Sequence, residues 1–283
     1  MDIVAITAAA VKSLRDRTGA GMMDCKKALQ EAGGDEERAI DLLRQRGAAK
    51  AAKRAAREAR EGAIQIASGD RTVAMVELLS ETDFVSRNER FVDFARRAAE
   101  QACRADLPDG EVVDGEVLLG LPGGEALATE LDDLRTSIGE NLRLARVVRH
   151  VAGAAARLGA YLHFGNRIGV LVELAGANVP EGLPRDLAMH IAAARPEGVS
   201  PEDIPAEARE RERAVFLEQA RAEGKPPQIM EKIVEGRMRK FYEQSALLWQ
   251  SFVKDPDRKI RDLLSEAGED VEVRRFVRFE IGD

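Results

Sequence analysis

Thr82, Asp83 and Phe84 set a hydroxyl, a carboxylate and an apolar ring on consecutive residues, inside the polar run Glu81-Thr82-Asp83-Phe84-Val85-Ser86-Arg87-Asn88-Glu89-Arg90-Phe91. The run follows a strand-like stretch, Val73 to Leu79, and precedes a helical pattern, so Phe84 falls in a connection. An apolar ring there gains nothing unless something covers it. Spacing alone leaves two covers open. Phe84 tucks under the following helix while Asp83 or Ser86 caps that helix's free N–H groups, or it meets another protein.

Neither reading is bond-making chemistry, and catalytic signatures are missing from the chain. There is no G-x-x-x-x-G-K-[ST] phosphate loop, no H-E-x-x-H, no G-x-S-x-G and no dinucleotide fingerprint. Gly120-Leu121-Pro122-Gly123-Gly124 lacks the lysine and the strand-to-helix setting that phosphate binding needs. His150, His163 and His190 stand apart, with no cysteine at ligand spacing, and each reads as a structural or interface histidine. Cys25 and Cys103 lack CxxC spacing and read as buried small groups or free thiols. No enzymatic activity, metal or cofactor is expected.

Composition bounds the partners. The 283 residues, 45% hydrophobic and 33% charged, suffice for two domains with an extensive solvated surface. No apolar stretch approaches the length of a membrane span, and Met1-Asp2-Ile3-Val4 lacks the basic region and apolar core of a secretory signal, so a cytoplasmic protein without a membrane partner is expected. A net charge of −7 opposes wholesale nucleic-acid binding. The local exception is Lys50 to Arg60, where alanines alternate with Lys50, Lys53, Arg54, Arg57 and Arg60. No aromatic is interleaved there for base stacking, and a basic helical linker over 48–61 is the simpler reading.

Around these residues the pattern is α+β. Residues 1–47 show three short apolar periodicities, with Ile3, Ile6, Ala10, Val11 and Leu14 in the first, broken at Gly19 and Gly21 and again at Gly33-Gly34-Asp35. Beyond the linker, a shift of 96 residues superposes Gly69-Asp70-Arg71 on Gly165-Asn166-Arg167, Val76-Glu77-Leu78 on Val172-Glu173-Leu174, and Ala98 on Ala194. Two copies of one strand-hairpin and helix unit are expected, over 62–150 and 151–283. Their strands are read as Ala63 to Ala67 with Val73 to Leu79 and Tyr161 to Phe164 with Ile168 to Leu174; their helices as Phe91 to Arg104 and Leu187 to Ala194. Val273 to Ile281 supplies one more strand. Where the first copy has Thr82-Asp83-Phe84 the second has Asn178-Val179-Pro180, so the unit itself does not require the aromatic.

Between the copies, Leu127, Leu131, Leu134, Ile138, Leu142 and Ala145 predict a helix of about five turns with Gly139 inside it. Over about 205–244, two charged helical runs flank Gly224-Lys225-Pro226-Pro227 and predict a projecting antiparallel hairpin, its seam being Val215, Ala222, Ile229, Ile233, Met238 and Phe241. Trp249 and Phe252 are read as anchors of its base.

Thr18-Gly19-Ala20-Gly21-Met22-Met23-Asp24-Cys25-Lys26-Lys27-Ala28-Leu29 and Thr82-Asp83-Phe84-Val85 together resemble bacterial elongation factor Ts. The likeness continues through Ile138-Gly139-Glu140-Asn141, Arg167-Ile168-Gly169-Val170-Leu171-Val172, Met189-His190-Ile191-Ala192-Ala193, Glu235-Gly236-Arg237-Met238 and Arg278-Phe279-Glu280. It implies a ubiquitin-associated type of bundle at the N-terminus and a protein that binds elongation factor Tu and releases its GDP so that GTP can enter. Thr82, Asp83, Phe84 and Val85 would dislodge the partner's Mg²⁺. Arg15, Met22, Met23, Ile138, Gly139, His163 and His190 would make further partner contacts. No nucleic acid is required, and a homodimer is compatible with this reading. Two alternatives stay open: a ubiquitin-associated-like adaptor for some other protein, and an RNA-binding accessory factor using Lys53, Arg54 and Arg57.

Overall fold

The computed structural model describes residues 6–283, without the side chains of 47–55, so the expectations for Ile3 and for the side chains of Lys50, Lys53 and Arg54 lie outside the described residues. α1 (Ala8–Thr18) is opened by the Thr7 hydroxyl, which accepts from the Ala10 N–H at 3.2 Å. α2 (Met22–Glu31) and α3 (Glu36–Ala55) follow. None of these helices persists alone; Val11, Leu14, Cys25, Ala28, Leu29, Ala39 and Ile40 close one small core between them. α3 runs on into the stretch read as a helical linker, since its alanines supply no break, and ends at Ala55. Met22 and Met23 are both exposed, and Cys25 takes the inward place.

The first unit pairs β1 (Glu61–Ser68) with β2 (Thr72–Ser80), then adds α4 (Asp83–Ser86), α5 (Glu89–Arg104), β3 (Val112–Asp114), α6 (Gly115–Gly120), α7 (Glu125–Ile138) and β4 (Arg143–Val151). The sheet order is β1-β2-β4-β3, antiparallel throughout. Alternate residues of β2 serve two cores: Ala74, Val76 and Leu78 meet Phe91, Phe94, Ala95 and Ala98 of α5, while Val73 and Met75 face the other way. The predicted five-turn helix is corrected here. It stops at Ile138 with Gly139 as its left-handed cap (φ 84°), and Leu142 to Ala145 lead into and form the start of β4. Apolar spacing of three and four ran by coincidence across that junction, and the strand was hidden in it.

The second unit holds β5 (Ala156–Leu162), β6 (Ile168–Ala175), α8 (Leu183–Ala194), α9 (Ala206–Ala222), α10 (Pro227–Ser245), β7 (Ser251–Phe252), β8 (Asp255–Lys259), α11 (Ile260–Ala267) and β9 (Glu272–Glu280). Its main sheet runs β5-β6-β9. Val170, Val172 and Leu174 pack under Leu187, Ala188 and Ile191 of α8; on the opposite face Leu171, Phe279 and Ile281 meet Ile64, Val73, Met75 and Val148 of the first sheet. The core is thus four layers, helix on sheet on sheet on helix. Gly169 lets the sheets close: a Cβ there would sit 2.6 Å from Ile64 and Met75 side-chain atoms.

Three strands of the first sheet, β1, β2 and β4, match β5, β6 and β9 of the second, with β9 standing to β6 as β4 stands to β2; β3 is peculiar to the first. Even the irregularity repeats: the ladder slips between Glu77 and Leu78 in one sheet and between Glu173 and Leu174 in the other. Each slip carries a buried glutamate met by arginines of the neighbouring strand. Arg146 donates to Glu77 through Nε at 2.7 Å and Nη2 at 2.6 Å; Arg275 Nε donates to Glu173 at 2.7 Å and Arg274 Nη1 at 3.2 Å. These fork-like pairs satisfy carboxylates that could not be buried singly.

α9 and α10 double back at Gly224, as predicted, and are largely exposed. The seam is only partly the expected one: Met238 is buried as predicted and Ile233 and Phe241 are half-buried, whereas Val215, Ala222 and Ile229 are exposed and Ala220 and Val234 take the buried places. Arg237 to Glu223 at 2.7 Å and an Arg213–Glu231 pair tie the two helices across their surface. At the base, Phe252 enters the second core and Trp249 meets the Tyr242 ring edge-on at 6.0 Å. Among the described residues no helix is long and apolar enough to cross a membrane.

Candidate functional site

β2 ends at Ser80, and the residues after it rise into α4, a single helical turn. Within that turn the side chains divide. Val85 packs against the first core, and Phe84 points away with 84% of its surface exposed. Phe84 therefore does not tuck under α5. Neither Asp83 nor Ser86 caps α5 either; Asn88 does, its side-chain oxygen accepting from the Arg90 N–H at 3.0 Å. Asp83 pairs with Arg87 at 3.1 Å on the surface, a contact weak enough to be exchanged for another group. Ser86 Oγ donates to the Asp83 carbonyl at 2.8 Å and closes the turn.

The end of α7 lies against this turn. Glu140 accepts from the N–H groups of Glu81 and Thr82, both at 3.1 Å, and from the Thr82 hydroxyl at 2.6 Å. Arg90 at the head of α5 donates to the Ser137 hydroxyl at 3.3 Å. Thr82, Asp83, Phe84 and Val85 are thereby brought beside Ile138, half-buried against the first core, and Gly139, which is exposed. A Cβ on Gly139 would meet nothing within 4 Å; its left-handed backbone accounts for glycine there.

The β5–β6 turn reaches the same end of the molecule. Asn166 accepts through its carbonyl from the Ile64 N–H at 2.7 Å, Arg167 pairs with Glu61, and Glu61 is the register partner of Ser80. At the tip of that turn His163 is exposed, with Nδ1 2.9 Å from the Tyr161 hydroxyl. Beside it Phe164, read from sequence as a strand residue, lies outside β5 and is 96% exposed. Sequence reasoning passed over it as a site residue, although the repeat carried the signal: Phe164 aligns with Ser68, just as Phe84 aligns with Pro180.

The family model described as "Elongation factor TS" matches residues 81–283, beginning at the residue that opens this turn. The chain belongs to the elongation factor Ts family. It is 45% identical to Elongation factor Ts of Aquifex aeolicus (strain VF5) over 99% of each chain. Against the Elongation factor Ts of Idiomarina loihiensis it is 47% identical over 99% of this chain and 92% of the relative, and against that of Legionella pneumophila (strain Paris) 46% identical over 98% and 92%. Membership makes it a translation elongation factor, acting in protein biosynthesis.

Other residues that the elongation factor Ts resemblance suggested fall elsewhere. Arg15, Met22 and Met23 belong to the N-terminal bundle, all three exposed. His190 is corrected outright, since it is fully buried and cannot meet a partner in this state. Its Nδ1 accepts from the Val253 N–H at 3.3 Å and its Nε2 lies 2.9 Å from Gln250 Oε1, which fixes a neutral ring donating through Nε2. Burial pushes its pKa below the ordinary histidine value, against the pull of Gln250. Arg57, from the basic stretch, donates to Glu81 at 3.3 Å, beside the turn that carries Phe84. Among the described residues no group of His, Cys, Asp or Glu is placed to hold a metal ion.

Proposed function

We propose that this chain is a guanine nucleotide exchange factor for elongation factor Tu, acting without bond chemistry of its own, in the cytoplasm. The observation that carries the reading is an exposed phenylalanine on a one-turn helix whose neighbours are fixed, a shape that suits insertion into another protein's surface. A GTPase holds GDP through a glycine-rich loop, a lysine and Mg²⁺ ligands set at close tolerance, so a small shift of that shell weakens several contacts together. Phe84 presses between helices beside the nucleotide site. Asp83, released from Arg87, draws on polar groups that orient the metal's ligands, and Mg²⁺ leaves ahead of GDP. Linkage makes the effect reciprocal: whatever factor the exchange protein takes from nucleotide affinity, nucleotide takes from its own binding, about 1.4 kcal/mol for each tenfold. Incoming GTP then expels the factor.

The test is stopped-flow release of a fluorescent GDP from purified elongation factor Tu. Release should accelerate and saturate with added chain; a flat rate would reject the reading. His163 and Phe164 supply a second contact at the same end of the molecule. Replacing Phe164 with alanine should raise the half-saturating concentration about tenfold, the worth of one covered aromatic, while the maximal rate holds. An unchanged half-saturation would remove Phe164 from the interface.

A further inference from the structure

We infer that Glu140 is the positioning residue of the Phe84 wedge, a proposal that rests on the exchange reading above. A helix of one turn has no persistence of its own, so the direction of Phe84 is set by what holds the residues on either side. On the C-terminal side Val85, half-buried, packs against the first core. On the N-terminal side the fixing group is a carboxylate from a different part of the chain. Glu140 Oε2 accepts from the Glu81 and Thr82 N–H groups and Oε1 accepts from the Thr82 hydroxyl. A threonine in this position ordinarily turns its hydroxyl onto its own helix; Thr82 makes no such cap and gives the proton to Glu140.

The clasp is returned from the other side. Glu81 Oε1 accepts from the Asn141 N–H at 2.6 Å and from Arg57 at 3.3 Å, and Asn141 Nδ2 donates to the Arg57 carbonyl at 2.7 Å. Two adjacent residues of one loop and two of the other exchange hydrogen bonds, and the chain arriving from α3 is tied to both. Gly139 aims the clasp, because its left-handed turn swings the chain off α7 and delivers Glu140 to the loop. Charged acceptors on backbone donors make the stronger class of hydrogen bond, whereas the Asp83–Arg87 pair is an exposed one. The wedge is thus held rigidly at Thr82 and loosely at Asp83, as an insertion that keeps its angle while its carboxylate changes partner requires.

The experiment compares wild type, Glu140→Ala, Glu140→Gln and Phe84→Ala for fluorescent GDP release across chain concentration, with melting temperature and amide exchange at Glu81 and Thr82. Glu140→Ala should lower the maximal rate about tenfold, shift half-saturation less than threefold, leave the melting temperature within a few degrees and deprotect the Thr82 amide. Glu140→Gln, which still accepts from both N–H groups and can donate to the Thr82 hydroxyl, should recover most of the rate. A wild-type maximal rate in Glu140→Ala would overturn the proposal, as would equal losses of rate and melting temperature in both variants. If Phe84→Ala slows release and Glu140→Ala does not, the exchange reading stands and the positioning role falls. If wild type itself is inert, the exchange reading and the positioning role fall together, and Thr82 amide protection then reports only whether Glu140 holds the loop.

Discussion

Phe84→Ala should reduce the maximal rate of GDP release from elongation factor Tu by ten- to a hundredfold and leave the fold of this chain untouched. Covering a phenylalanine side chain is worth about 1.5–3 kcal/mol, and each 1.4 kcal/mol is a factor of ten. That free energy is available to the exchange step only if the ring is uncovered beforehand, and it is, at 84% exposure. The same exposure makes truncation nearly neutral for stability, within about 0.5 kcal/mol, since no cavity is left and no packing partner is lost. Rate and stability should therefore separate: release followed by stopped flow falls, while thermal melts of the two proteins superimpose. Phe84→Trp, which keeps a large apolar body, should retain most of the rate. Wild-type release by Phe84→Ala would remove the wedge and leave the exposed ring without a role.

What could be read from the sequence, and what could not, follows from the range of the forces involved. Local periodicity and glycine punctuation delivered the bundle, both hairpins and α5, because each depends on residues a few positions apart. The repeat reached further, since it compares the chain with itself; it marked Phe84 as an ornament of one copy and, applied to Phe164, would have marked that residue too. β4 was lost because Leu142 and Ala145 continue the helical spacing of α7, and only the left-handed turn at Gly139 separates them. Half of the hairpin seam, Val215, Ala222 and Ile229, was misplaced for a related reason: two helices leaning on each other bury a narrow stripe, and apolar residues at the right spacing outnumber the places available. Glu140 and the buried glutamates were beyond reach altogether, and His190 could be read only as structural or interfacial. Their roles are set by partners 58, 60 and more residues away, and no sequence pattern records whether a carboxylate meets an arginine or an imidazole meets a glutamine.

The packing of the two sheets also imposes a dependence on pH. His150, on β4, is fully buried on the face shared by the two sheets, and neither ring nitrogen has a hydrogen-bond partner. Burial, with the nearby Arg275 guanidinium, pushes its pKa down to about 4, against the weaker pull of Glu173 and Asp109. A folded pKa below the unfolded value of about 6.5 means that folding selects the neutral ring. The associated stability is complete above pH 6.5, declines as the pH falls from there, and is exhausted near pH 4, where the folded ring takes up its proton as well. The total is about 3 kcal/mol, of which about 2 kcal/mol is already lost between pH 7.5 and pH 5. Carboxylates paired in the native state, such as Asp109 with Arg275, push in the same direction, so the histidine has to be isolated by comparison. Replacing His150 with leucine, an apolar side chain of similar size, should flatten the decline by that 2 kcal/mol in urea titrations at the two pH values. Since the ring has no partner to lose, the variant should match or exceed wild type at pH 5 even if tighter packing costs it something at pH 7.5. Parallel declines in the two proteins would show that the buried imidazole accepts a proton without penalty, and would remove His150 as a source of the pH dependence.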